Sequence, residues 1–252
     1  MSSFTRNTNS DWKTAESLAA YKTRSSNNTK LIQAAVEKKL LKDEENVIDI
    51  FDLDAWHARI EDLLAAFPED YITHALAIKS QPLSGILTYG LKNFPQLGIE
   101  AASWGEAYHG HKLGYPSSQI VYDSPVKSFE EMLGAIKLGV HINCDNHYEM
   151  EVIDKILKTH FDEKTRSSAT FGLRINPMTG AGAIASSSTA HIGAKFGLIW
   201  MEETKPEIAS YFEKYRWLTG LHCHVGSQGM HSGLKRIRIR RLKMAIFGKK
   251  KC

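Results

Sequence analysis

From Val47 onward, short apolar runs alternate with longer stretches of helical spacing, the pattern of βα units around a parallel sheet. Six runs read as strands: YITHALAIK, LGIEAAS, QIVYDS, VHINCD, ATFGLRIN and LTGLHCHVG. A helix is expected after each except the last. The clearest is SFEEMLGAIKLG, where Ser128 stands as N-cap, Glu131 closes a capping box three residues on, and Gly139 lies just past the end. NHYEMEVIDKILKTHF and EIASYFEKYRW have the same spacing, as does KLIQAAVEKKLLKDE before the first strand.

Side chains alternate across a strand, and here the two faces differ in chemistry. Leu76 and Ile78 oppose Ala75, Ala77 and Lys79, while Ile142 and Cys144 oppose His141, Asn143 and Asp145. Leu173 and Ile175 oppose Arg174 and Asn176; Leu221, Cys223 and Val225 oppose His222 and His224. Parallel strands covered by helices on both sides are apolar on both faces. A closed (β/α)8 barrel instead packs its apolar faces on helices and gathers the others in a shared interior. Polar groups are costly to bury unpaired. They should therefore satisfy one another or surround a polar ligand at the C-terminal ends of the strands, where such barrels keep their sites. The rival is an antiparallel sheet with its polar face in water, but long helical connections suit parallel crossovers better than hairpins.

Composition adds limits. The 252 residues are enough for one large domain. The first thirty or so are rich in Ser, Thr and Asn and read as a loose extension, so residues 1–46 are expected to precede the folded part. The net charge of +4 is uneven: residues 231–252 hold nine Lys and Arg and no acid, leaving the remainder at −5. That run lacks the interleaved aromatics that stack bases, so a solvated tail is favoured over a nucleic-acid contact. Cys144, Cys223 and Cys252 have neither metal-ligand spacing nor an even count, and fit a reducing compartment. No apolar run approaches the length of a membrane span, and the start has no signal-type segment, so an intracellular protein is expected.

Several residues are candidates for chemistry. Lys79 ends a strand beside small Ala75 and Ala77, which leaves room for a bulky group, and desolvation there would favour the neutral amine that forms a Schiff base. By itself, a lysine at a strand end usually reaches solvent. His222 and His224 share a face, yet zinc needs a third protein ligand, and His109 and His111 fall on a helix where residues two apart diverge. No metal is expected. Gly226 and Ser227 could offer an amide and a hydroxyl to a phosphate. The run TGAGAIASSST reads as a loop rather than a phosphate cradle, since no helix start follows it at once.

Together, ALAIKSQPLSGIL, GIEAASWGEA, LRINP, AKFGL and LHCHVGSQ, in this order, resemble the fold-type III pyridoxal-phosphate decarboxylases, the family of diaminopimelate, ornithine and arginine decarboxylases. LHCHVGSQ is most similar to the diaminopimelate branch. The resemblance covers about Val47 to Gln228 and implies an α/β fold of alanine-racemase-like barrel type, with residues 47–229 as the cofactor-binding domain. It implies pyridoxal 5'-phosphate as cofactor, Lys79 as its Schiff-base lysine, His224 stacked on its ring and Ser227 with Gly226 at its phosphate. Glu100 and Arg174 would lie beside the ring. Lys195 matches a recurrent lysine to which no role is given. The implied activity is decarboxylation of a diamino acid by a cytoplasmic homodimer, without nucleic-acid or membrane partner.

The chain departs from the family at Ser80 and Gln81, where alanine and asparagine are usual, and at Glu100, where aspartate is usual. Six strands are expected where the family has eight, and the C-terminal β-domain, the glycine-rich phosphate loop and the acid for the pyridine nitrogen are not found. Residues 230–252 read as a basic segment outside the family. A truncated or frame-shifted product, inactive alone, is the resulting expectation. The rivals are a single-domain pyridoxal-phosphate homeostasis protein, a non-catalytic regulator of a full-length decarboxylase, and a nucleic-acid binder.

Overall fold

The structure, a computed structural model, describes residues 15–40, 44, 47–178, 190 and 193–224. It divides into two units, Met1–Ile60 and Glu61–Cys252. The first contains α1 (Ala15–Glu37) and the beginning of α2 (Leu53–Ala66). α1 starts well before the segment read as helical, because AESLAA consists largely of strong helix formers.

The second unit is built on seven strands: β1 (Ala75–Ala77), β2 (Gly98–Ala101), β3 (Ile120–Tyr122), β4 (His141–Cys144), β5 (Phe171–Asn176), β6 (Leu198–Ile199) and β7 (Leu218–His222). The helices between them are α3 (Ser84–Asn93), α4 (Trp104–Lys112), α5 (Phe129–Leu138), α6 (His147–His160), α7 (Glu163–Ser168) and α8 (Lys205–Lys214). Every pairing is parallel, and β1 to β5 lie side by side in chain order. This is the singly wound order of a barrel, and it rules out the antiparallel alternative. All six expected strands are present. β6 was not anticipated, since two residues are too few to show a period; it pairs with Ile175 and Asn176, while β7 pairs with Phe171 to Arg174 of the same strand. Among the described residues no helix is long and apolar enough to cross a membrane.

The two strand faces separate as their sequences foretell. Ile99, Ile120, Tyr122, Ile142, Cys144, Phe171, Leu173 and Ile175 are buried in one cluster with Met132 and Ile136 of α5 and Met150, Ile153 and Ile156 of α6. Burying each large apolar side chain contributes roughly 1.5–3 kcal/mol, so this layer dominates the unit's stability. α5 shows both hydrogen bonds of the expected capping box, and Gly139 ends it at φ 76°, a left-handed conformation that glycine adopts without strain. The opposite faces carry Glu100, Asn143, Arg174 and Asn176 into the interior, where Asn143, Arg174 and Asn176 are buried.

Close packing of neighbouring strands makes one glycine decisive. A Cβ on Gly98 would come 2.4 Å from the backbone oxygen of Gln119, which cannot rotate away. Gly98→Ala is therefore expected to lower stability by ~1–3 kcal/mol, read as a lower urea midpoint.

β7 carries an irregularity that matters for the site. Its register against β5 runs Phe171 to Leu218, then Gly172 to Gly220, leaving Thr219 as an extra residue. Leu218 thus joins the apolar layer, while His222, two alternations later, lies beside Arg174 on the inner face.

Candidate active site

Lys79 does not sit in the strand itself. β1 lasts three residues, and the chain then tightens into a 3-10 turn, Ile78–Ser80, closed by donation from the Ser80 hydroxyl to the Ala77 oxygen at 2.8 Å. The turn puts the Lys79 amine 3.4 Å from Oε1 of Glu100, which stands beside Ala77 on β2. On the next strand, the backbone N–H of Asp123 donates to Ala101 at 2.9 Å, extending the ladder one residue past β3 and setting Asp123 at the strand end. Asp145 occupies the corresponding place after β4.

These ends converge on Arg174. Its Nη1 lies 3.7 Å from Oδ1 of Asp123 and 3.6 Å from Oδ1 of Asp145, and its guanidinium lies 4.7 Å from the centre of the Phe196 ring. Asp123 also receives Nε2 of His222 at 3.0 Å through its second oxygen. Lys79, Asp123, Arg174, Phe196 and His224 line one cavity of about 160 Å³.

The electrostatics follow from burial and these contacts. Burial, opposed by Lys79 and reinforced by Asp123, pushes the Glu100 carboxyl above the usual range. Burial also disfavours the Asp123 charge, but its hydrogen bond and attraction to His222, with Arg174, outweigh it and hold that carboxyl low. The two carboxyls thus move in opposite directions, Glu100 up and Asp123 down. Asp145 is raised by burial in spite of Arg174. Burial, then the nearby cations Lys79 and Arg174, lower the His224 imidazole, so it is neutral near pH 7.

Of the residues singled out from the sequence, Lys79, Glu100, Arg174 and His224 come together here. Gly226, Ser227 and TGAGAIASSST lie outside the described residues. His222 faces Asp123. His109 sits within hydrogen-bond distance of the Pro82 oxygen at 3.3 Å, and His111 packs against Tyr108. Among the described residues no group of three or more His, Cys, Asp or Glu is placed to hold a metal. Burial pushes the Cys144 thiol up to about 12, which makes it inert at neutral pH.

Sequence reasoning missed Asp123 and Phe196. Alternation from Ile120 and Tyr122 through the QIVYDS run places Asp123 on the inner face, so that signal was present. Phe196 lies within the AKFGL motif, but nothing local marks it as a platform for Arg174, which stands on a strand more than twenty residues away.

The group of donors suits pyridoxal phosphate. A primary amine, an imidazole and a guanidinium border one cavity, able respectively to bond an aldehyde carbon, lie flat on a ring and attract an anionic substituent. Two buried atoms, Asp145 Oδ1 and His222 Nδ1, have no hydrogen-bond partner among the described residues, as expected at a polar ligand site.

Residues 53–241 match the family described as "Pyridoxal-dependent decarboxylase, pyridoxal binding domain". The match therefore reaches into the basic segment. The chain is 29% identical over 174 residues to the diaminopimelate decarboxylase of Aquifex aeolicus, covering 68% of this chain and 39% of that protein. It is 26% identical over 182 residues to the same enzyme of Bacillus subtilis, covering 71% and 40%. The chain thus spans about two fifths of the length of these curated relatives. A crystal structure of Helicobacter pylori diaminopimelate decarboxylase with L-lysine superposes with a TM-score of 0.68 at 23% identity, over 77% of this chain and 48% of that one, which supports the barrel fold. With three quarters of its residues matched by that family, and with its strands and inner-face residues arranged as above, the chain belongs to the pyridoxal-dependent decarboxylases, over their pyridoxal-binding domain.

Proposed function

We propose that residues 47–229 form the cofactor-holding barrel of an enzyme that decarboxylates a diamino acid, diaminopimelate in the first instance, with Lys79 as the attachment point. The observation that carries this reading is the shared cavity of Lys79, Arg174 and His224 at the ends of parallel strands. The curated relatives named above support the choice of substrate. The resemblance also implies a homodimer and a cytoplasmic setting.

Pyridoxal phosphate, when bound, supplies an electron sink for the carbon that loses its carboxylate. The residues of the chain do the rest. Lys79 offers its amine to the cofactor aldehyde, and Glu100, at 3.4 Å, is placed to exchange the proton that the ammonium must lose. His224, kept neutral by burial and its cationic neighbours, presents a flat uncharged face to the ring. Arg174 is braced by two carboxylates and an aromatic ring, so its guanidinium keeps one orientation. Gly226 and Ser227 complete the proposal at the phosphate.

The test is covalent trapping. Reduction of the chain with borohydride after addition of pyridoxal phosphate, followed by peptide mapping, is expected to place the label on Lys79. Labelling spread over other lysines, or none, would refute the proposal.

A further inference from the structure

A second ionic contact lies behind the cavity and forms no part of its lining. Lys127, which closes the connection between β3 and α5, places Nζ 2.6 Å from Oε2 of Glu149 in the first turn of α6. Both side chains are sealed from water, at 0% and 3% exposure. The same Oε2 accepts the backbone N–H of Asp145 at 2.8 Å. The Glu149 N–H in turn donates to the Asn146 side chain at 3.0 Å, fixing the helical turn that carries the carboxylate. Lys127 also lies 5.7 Å from the centre of the Tyr122 ring.

Each partner is tied to a segment whose other end enters the site. Asp123 opens the five-residue stretch that Lys127 closes. Asp145 gives its N–H to the very oxygen that Lys127 holds. The two carboxylates flanking Arg174 are thus linked from behind through a single ammonium–carboxylate contact. Such a pair adds little net stability, because lost hydration offsets the attraction, and apolar side chains of similar volume commonly serve as well. Its distinctive product is a fixed geometry.

We infer that Lys127 and Glu149 are positioning residues, whose buried contact sets the spacing of Asp123 and Asp145 so that Arg174 is held between them at the cavity. The role of Arg174 toward a cofactor rests on the function proposed above; the geometric claim does not. The contact would act as a strut outside the site, with neither of its residues reaching a ligand.

The test compares the full chain with the double variant Lys127→Met/Glu149→Leu, with Lys127→Met alone, and with Lys127→Arg. Three quantities are read: the urea midpoint, the titration of the Asp123 and Asp145 carboxyls by NMR, and the dissociation constant for pyridoxal phosphate by absorbance. The double variant is expected to fold with a higher midpoint than Lys127→Met, and both aspartates to titrate higher than in the parent, since each loses part of the pull of a fixed Arg174 and Asp145 also loses that of Lys127. Its dissociation constant should rise roughly tenfold, as for other losses of fixed site geometry. Lys127→Arg should resemble the parent in all three. A double variant no more stable than the single one, parent-like aspartate titrations, or parent-like affinity would each overturn the inference. If the parent itself binds no pyridoxal phosphate, the proposed function fails, and the aspartate titrations still decide this one.

Discussion

Replacing Lys79 with alanine is expected to abolish the absorbance band of covalently held pyridoxal phosphate at every cofactor concentration, while changing stability by no more than about 0.5 kcal/mol. The loss is chemical rather than structural. The Lys79 side chain is 43% exposed and its contact with Glu100 is 3.4 Å, an ion pair of the partly solvated kind that contributes little. Lys127 does not replace the amine, since it is buried in its own contact. A secondary effect follows from Glu100. Its carboxyl is already raised by burial against the opposing pull of Lys79, and removing that cation raises it further. A raised carboxyl contributes stability below the ordinary glutamate value and loses it as pH rises through the folded value. Urea melts of the variant should thus fall behind those of the parent on moving from acid toward neutral pH. A surviving band would remove Lys79 from its proposed role.

The largest loss of stability is expected from Lys127→Met alone. That change leaves Glu149 charged, buried and without its cation, which typically costs ~3–5 kcal/mol, a large part of the 5–15 kcal/mol that holds a domain together. The pH dependence identifies the cause. Burial already pushes the Glu149 carboxyl up against the pull of Lys127, and without the lysine it rises further. Below the ordinary glutamate value the group is neutral in folded and unfolded chains alike, and the variant approaches the parent. Above it, the unfolded chain ionises while the folded one resists, and the deficit grows until the folded value is passed. Chemical denaturation across that range measures it; a deficit independent of pH would show that lost packing, rather than a stranded charge, is responsible.

The strands were legible because their two faces obey different chemistry, so that LRIN or HINC announces both a period and an interior. Their lengths were not. YITHALAIK reads as nine residues of strand, yet only Ala75–Ala77 pair, because the chain tightens at Ile78 to turn Lys79 toward β2. At the site, Lys79, Glu100, Arg174 and His224 were found through their resemblance to ordered motifs, and their convergence follows from parallel strands ending at one level. The contact of Lys127 with Glu149 was hidden for a simple reason. Lysine and glutamate are by default solvent residues, and the two are 22 positions apart on different elements, so nothing local marks them as partners.

The extra residue in β7 gives that strand two trades. Upstream of Thr219, Leu218 serves the greasy layer under the helices; downstream, the alternation slips by one step and imidazole is handed to the wet side next to Arg174. One strand thereby works like a half-turned screw, anchored at its base and facing its load at the tip, and a segment of five residues supplies both a wall and a tool.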